Sequence, residues 1–195
     1  MKIYKHRVNK MRDLERLSPE FGAEIDLRLY FGELILQHDP FKAGELFSEW
    51  LKVWNGHSLI LNVKECGIEE MVLQLLAEKG ISDFFFLDQS YPIIRQMISN
   101  GNSKVATRVS DFEDIETASK SGSDWVWLDS FSGNWSYLKD IAPMLRKNSQ
   151  QTCLVSPELQ RLEIDAEVIM LKNILLDNEI QVSAVCTKNV ELWQP

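Results

Sequence analysis

The sequence predicts an α/β fold, a small (β/α)8 barrel of the TIM type with short helices and an extra hairpin after the second strand. Three observations predict it. Eight short apolar or β-branched runs recur along the 195 residues, segments with helical spacing separate them, and no Gly/Ser-rich, Pro-rich or low-complexity stretch interrupts the recurrence. Such even alternation favours a closed parallel sheet over an open one. One domain spanning residues 1–195 is the economical organisation, with a short-period solenoid as the competitor.

The first run is KIYKH (2–6). AEIDLRL (23–29) follows and turns through YFGE into the apolar GELILQ (32–37), read as a returning hairpin arm. AGELFSEWLKVW carries Trp50 and Trp54 four apart, one helix face packing inward. SLILNVK (58–64) is the next strand, and His57, just before it in WNGHS, reads as a solvated loop residue without a role. GIEEMVLQLLAEKG is helical and ends at Gly80, placed as a C-terminal cap would be. DFFFLD (83–88), the helical YPIIRQMISNG and KVATRV (104–109) continue the alternation. In SDFEDIETA, Asp111 fits a helix N-cap with acidic residues in the first turn, a better account of that run than a metal site. DWVWLD (124–129), TCLVS (152–156), the helical EVIMLKNILLDN and VSAVCT (182–187) complete the series. A barrel of this type usually has ~250 residues, so these helices must be short, and little chain follows the last strand to build an eighth.

Composition narrows the function classes. At 45% hydrophobic residues the chain has ample core material. Lys and Arg number 21 against 29 Asp and Glu, a net charge of −8 with no basic cluster, which argues against nucleic acid and anionic membranes as partners. One small anion in a locally basic pocket is compatible with that balance. Cys66, Cys153 and Cys186 are odd in number and far apart, so they read as reduced thiols. No secretory signal and no membrane span is visible, and a cytoplasmic protein is expected.

In a barrel the carboxyl ends of the strands converge on one mouth. His6, Arg7, Glu24, Asp26, Lys64, Asp88, Arg108, Asp129, Ser156 and Lys188 stand at or near those ends. Glu24 and Asp26 are two apart and share a face, as do Asn62 and Lys64. Each is ordinary alone, because strands end where solvent begins; the concentration asks for pairing or a ligand.

HR at 6–7, ExD at 24–26, HD at 38–39 and VK at 63–64, in that order on the early strands, resemble the glycerophosphodiester phosphodiesterase family, whose members are phospholipase-C-like TIM barrels. FFFLDQSYP and AVCTKNVELW are similar to its middle and final strands. The resemblance implies a short, divergent, metal-assisted phosphodiesterase acting on a small glycerophosphodiester-like or sugar or polyol diester. It assigns His6 and His38 to acid/base catalysis, Arg7 and Lys64 to the phosphate, and Glu24 and Asp26 to a divalent metal, Mg2+ or Ca2+. These types suit the chemistry: fixed cations and a hard metal offset the charge developing on an anionic diester, and two groups titrating near neutrality exchange the protons.

The chain departs from the family pattern at two positions. Val8 stands where the first motif continues with Gly, and Asn62 stands where a third metal-binding carboxylate is expected. Either Asn62 itself gives a weak metal site, or Asp88, Asp129 or Glu158 supplies the missing oxygen, or the chemistry uses no metal; Arg108 and Lys188 are further candidates for the mouth. Two other functions fit the same residues: a phosphate-ligand-binding barrel with weakened turnover, and a small barrel enzyme working on a phosphorylated sugar by proton transfer.

Overall fold

The computed structural model describes residues 1–160 and 164–194. The elements are β1 (Lys2–Lys5), α1 (Met11–Arg16), β2 (Gly22–Tyr30), β3 (Glu33–Leu36), β4 (Glu45–Leu46), α2 (Phe47–Val53), β5 (Leu59–Val63), α3 (Glu69–Glu78), β6 (Phe84–Leu87), α4 (Tyr91–Ser99), β7 (Ala106–Val109), α5 (Ile115–Ser121), β8 (Trp125–Leu128), α6 (Tyr137–Leu145), β9 (Gln151–Val155), α7 (Ile164–Asp177) and β10 (Ala184–Thr187). Single 3-10 turns follow β9 (Pro157–Gln160) and β10 (Val190–Trp193), and the second stands where an eighth helix would begin.

β1 pairs in parallel with β10 and β2, β2 with β5, β5 with β6, and β7, β8, β9 and β10 pair in series. β6 and β7 approach through one parallel bridge, Phe86 to Val105, with the Phe86 N–H donating to the Lys104 carbonyl at 2.9 Å. The sheet is strongly curled, because rings from distant strands meet on its inner face. Tyr4 of β1 lies edge-on to Phe85 of β6 at 6.1 Å, and Phe85 stacks on Trp125 of β8 at 4.3 Å. This aromatic plug fills the amino-terminal end of the curl, and a Cβ at Gly22, beside Tyr4 in the sheet, would collide with the Tyr4 ring.

Above the plug the inner face of β2 continues through Glu24 and Asp26, in register with Ile60 and Asn62 of β5. Alternation thus lifts two carboxylates in steps of about 7 Å from an apolar floor toward the mouth. The extra arm forms as the pattern predicts: β3 folds back antiparallel on β2 across the two-residue turn Phe31–Gly32. A short β4, absent from the sequence reading, pairs with β3. The helices α1 and α6 were also not legible. The first has six residues and one buried apolar side chain, Leu14, and the second contains Pro143.

The Gly80 stop is a Schellman arrangement: Gly80 has φ +67, its N–H donates to Ala77 O at 3.0 Å, and Ile81 N–H donates to Leu76 O at 2.9 Å. Two local readings require correction. Asp114, not Asp111, caps α5, accepting from the Thr117 N–H at 2.7 Å. Asp111 instead accepts from the N–H groups of Phe131 and Ser132, each at 2.9 Å, and ties the loop after β7 to the loop after β8. His57 is not solvated: it is 2% exposed, its Nδ1 lies 2.8 Å from Phe21 O, and its own carbonyl accepts from the Trp54 indole. Trp50 is buried and donates to Val8 O, while Trp54 is half-buried. Cys66 is exposed, Cys153 and Cys186 are buried, and all three are free thiols. Among the described residues no helix is long and apolar enough to cross a membrane.

Candidate active site

A cavity of about 710 Å³ opens at the carboxyl ends of the strands. His6, Arg7, His38, Asn62, Asp88, Arg108, Asp129 and Lys188 line it, with Asp39, Trp127 and Gln160. Eight of the thirteen residues singled out from the sequence are therefore brought to one space. Glu24, Asp26 and Lys64 lie directly beneath, in contact with lining residues, and Glu158 lies to the side.

Glu24 and Asp26 are fully buried, and each is held by groups from the loop after β1 and from β5 or its carboxyl end. Glu24 accepts the Arg7 N–H on Oε2 at 2.6 Å and the Asn62 amide on Oε1 at 2.8 Å, with His6 Nε2 at 3.7 Å. Arg7 has φ +59, a strained left-handed backbone that turns its N–H onto this carboxylate. Burial, reinforced by the like charge of Asp26, pushes the Glu24 carboxyl up to about 7. Asp26 accepts the Asn9 amide on Oδ2 at 2.7 Å, and its N–H donates back to Asn9 Oδ1 at 2.9 Å. Arg7 Nε and Lys64 Nζ each stand 3.4 Å from an Asp26 oxygen.

A chain of alternating charge then crosses the mouth. Lys64 reaches Asp88 at 3.1 Å, Asp88 pairs with Arg108, and Arg108 lies 3.9 Å from Asp129. Asp88 also adopts a left-handed backbone, φ +63. Asp129 is tied down by Gln160 at 2.6 Å and by the Ser130 N–H at 2.8 Å.

Burial, followed by the neighbouring Arg7 guanidinium, lowers the His6 imidazole to about 4, so it is unprotonated at neutral pH. His38 is more open, with Nδ1 2.9 Å from Asp39 Oδ1. That bond and one from Lys42 lower Asp39 to about 2. An ionised carboxylate only accepts, so His38 Nδ1 carries a proton toward Asp39, and Nε2 is the nitrogen left to exchange one with a ligand. Arg28, which the sequence reading passed over, fixes the His38 backbone by donating twice to its carbonyl, at 3.1 and 2.9 Å. Its signal was present, since Arg28 continues the alternation Glu24, Asp26 on one face of β2. Asn9 carried no such signal.

Glu158 takes no part in the cavity lining. Its side chain accepts from Ser156, from Thr187 and from the Lys188 N–H at 2.9 Å, while its carbonyl receives Lys188 Nζ at 3.1 Å. Trp193 Nε1 in turn donates to Ser156 Oγ at 2.7 Å. Buried Glu158 thus acts as a clamp that sets the Lys188 loop over the mouth.

Among the described residues, no group of three or more His, Cys, Asp or Glu is arranged to hold a metal ion. A mixed donor set is available. Asp26 Oδ1 and Asn62 Oδ1 are buried oxygens without a hydrogen-bond partner, the first with the Lys64 ammonium at 3.4 Å, on register-paired positions of adjacent strands, and Glu24 stands one step below. Two carboxylates and an amide oxygen fit a hard divalent cation, with less negative charge than a three-carboxylate set.

No protein-family model matches the sequence, and no curated protein matches it. Solved structures do. A putative glycerophosphoryl diester phosphodiesterase from Agrobacterium tumefaciens superposes with a TM-score of 0.71 at 10% identity, covering 98% of this chain and 95% of its own. A second glycerophosphodiester phosphodiesterase from the same organism gives 0.69 at 13% identity, covering 99% of both chains. A glycerophosphodiester phosphodiesterase from Parabacteroides distasonis gives 0.67 at 15% identity, covering 98% of this chain and 94% of that one. The chain has the fold of the solved glycerophosphodiester phosphodiesterases over nearly its whole length.

Proposed function

We propose that residues 1–195 form a single (β/α)8 barrel domain, the curl closing at the Phe86–Val105 bridge, and that the domain hydrolyses phosphodiesters as a short, divergent glycerophosphodiester phosphodiesterase. One observation carries the reading: two imidazoles and the cations Arg7, Arg108 and Lys188 line one cavity above a buried carboxylate pair. A structural salt-bridge network explains the cations and carboxylates but has no use for two histidines facing the same space.

In this reading His6, unprotonated at neutral pH, takes the proton of the attacking water. His38 Nε2 delivers a proton to the departing alkoxide, with Asp39 stabilising the imidazolium and fixing its orientation. Arg7 offers a planar fork to two phosphate oxygens, and Arg108 and Lys188 face the same space as further cations. Lys64, whose ammonium lies between Asp26 and Asp88, supports the phosphate site from below. Glu24, Asp26 and Asn62 would hold Mg2+ or Ca2+, which when bound would offset the charge developing on the diester.

Two measurements test this assignment. Arg7→Ala should weaken binding of inorganic phosphate or glycerol phosphate by roughly ten-fold, the loss of one charge-assisted bond of ~1.5 kcal/mol, and Lys64→Ala, whose ammonium acts on the site through Asp26 and Asp88, by about a few fold. Calorimetry on the folded variants gives the affinities, and unchanged binding in both would remove the phosphate site. Asn62→Glu should tighten divalent-metal binding by adding a charged oxygen between Glu24 and Asp26. Titration of the wild type and this variant with Mg2+ and Ca2+ reads the change, and binding by neither protein would exclude the donor set.

A further inference from the structure

Among the described residues, five aromatic side chains are exposed: Phe31 at 90%, Phe41 at 96%, Tyr91 at 43%, Phe112 at 77% and Phe131 at 50%. Four follow the carboxyl ends of the strands that run to the mouth, β2, β6, β7 and β8, and Phe41 stands three residues after His38 of the cavity lining, past the antiparallel arm β3. The remaining aromatics are buried or half-buried. Solvent exposure alone scatters such side chains over a surface; here they gather on the loops around one mouth.

Two of them occupy backbone positions that disfavour them. Phe31 and Gly32, the two central residues of the β2–β3 turn, have φ +49 and +85. A turn with both residues at positive φ prefers Asn-Gly, so a bulky ring holds the place where Asn would relieve strain. Phe41, three residues after His38, has φ +61. Phe31 lies edge-on to Tyr30 at 4.5 Å, yet it and Phe41 stay exposed, and a residue that opposes its local conformation while exposed marks a role outside folding.

The aromatics are also continuous with the candidate site. Phe131 lies under the Arg108 guanidinium at 5.2 Å and 6.4 Å from Phe112. A second cavity of about 680 Å³ shares Asp88 and Arg108 with the first and has Tyr91, Ile94 and Phe112 in its wall. The mouth therefore grades from cations at the base to exposed rings at the rim. That is the polarity of an amphiphile entering phosphate first, and a small polyol diester has no use for it.

We infer that the rim docks on a neutral, zwitterionic lipid–water interface, and that the diester drawn into the cavity is a phospholipid headgroup. Aromatic rings partition to such interfaces. Charge selects the lipid: the chain carries −8, and Asp111, Glu113 and Asp114 flank Phe112, so an anionic surface is repelled. The choice of substrate rests on the hydrolase reading, and the docking does not. In the reaction, water adds to phosphorus, one P–O ester bond breaks, and the proton lost by the water is matched by the one gained by the leaving alcohol.

The test is co-sedimentation of the whole chain with phosphatidylcholine vesicles, with and without an anionic lipid, beside a Phe31→Asn, Phe41→Asn, Phe112→Ser triple variant. The wild type should bind neutral vesicles, and the variant should lose roughly ten-fold or more in partitioning. The variant's melting temperature should hold or rise, because Asn tolerates positive φ. Hydrolysis of a long-chain lysophosphatidylcholine should fall with binding, while hydrolysis of soluble glycerophosphocholine stays. No wild-type binding to neutral vesicles, preference for anionic ones, equal binding by the variant, or a wild-type dimer that the substitutions dissociate would each overturn the proposal. Vesicle binding without turnover of either substrate would uphold the docking surface and remove the hydrolase reading.

Discussion

His6→Ala and His38→Ala are each expected to lose ~100 to 10,000-fold in kcat on a phosphodiester, the range for removing one acid or base group. The two should fail for different reasons. His6 is half-buried against Glu24 and Arg7 and held unprotonated, so its variant loses the group that takes up a proton. His38 is more open, and Asp39 and Arg28 fix its ring and backbone from behind. Asp39→Asn should therefore reduce kcat by less than His38→Ala, since the imidazole survives and loses only its orienting carboxylate. His6→Ala also opens a space beside a buried carboxylate, so His6→Gln, which fills most of it, separates chemistry from folding. Steady-state rates with circular dichroism on each variant give the answer. Activity above about a tenth of wild type, well short of the expected loss, would exclude that histidine from the mechanism.

The part of the site legible in the sequence was the part that strand alternation dictates. Glu24, Asp26, Asn62 and Lys64 lie on two paired strands where a period of two forces neighbours onto one face, so their proximity followed from spacing. His38 was placed by the HD pair at 38–39 and the family resemblance it carries, not by strand spacing. What escaped depends on loops. Arg7 and Asp88 were named from the sequence, but the left-handed backbones that aim them are announced by no residue type, and Asn9 reaches Asp26 only because the chain turns at Arg7. Glu158 looked like a spare metal ligand; its oxygens are taken by Ser156, Thr187 and the Lys188 N–H, groups that meet only when β9 and β10 lie side by side. His57 and Asp111 were misread for a related cause. Both stand in polar stretches typical of solvated loops or caps, and both are claimed by distant backbone groups, Phe21 O in one case and the N–H groups of Phe131 and Ser132 in the other.

Asp26→Ala should have the largest effect on stability, ~3 kcal/mol, the lower end of what breaking a buried ion pair costs. Asp26 is fully buried and neutralises two cations while satisfying the Asn9 amide. Its removal strands these partners unequally. Arg7 is half-exposed and returns to water, and Lys64 keeps Asp88, so the upper end of the range is not reached. The Asn9 amide and the vacated volume bear most of the loss. Asp26→Asn separates charge from shape. It fills the same space and still accepts one hydrogen bond, and losing its negative charge relieves the repulsion that holds the Glu24 carboxyl up, which offsets part of the weakened pairing with Lys64. Asp26→Asn should thus lose less than half as much as Asp26→Ala in urea unfolding, while both abolish divalent-metal binding. Equal destabilisation by the two would assign the effect to charge alone. A fully stable Asp26→Ala would show that Arg7, Lys64 and Asn9 need no carboxylate between them, and the network beneath the cavity would lose its central member.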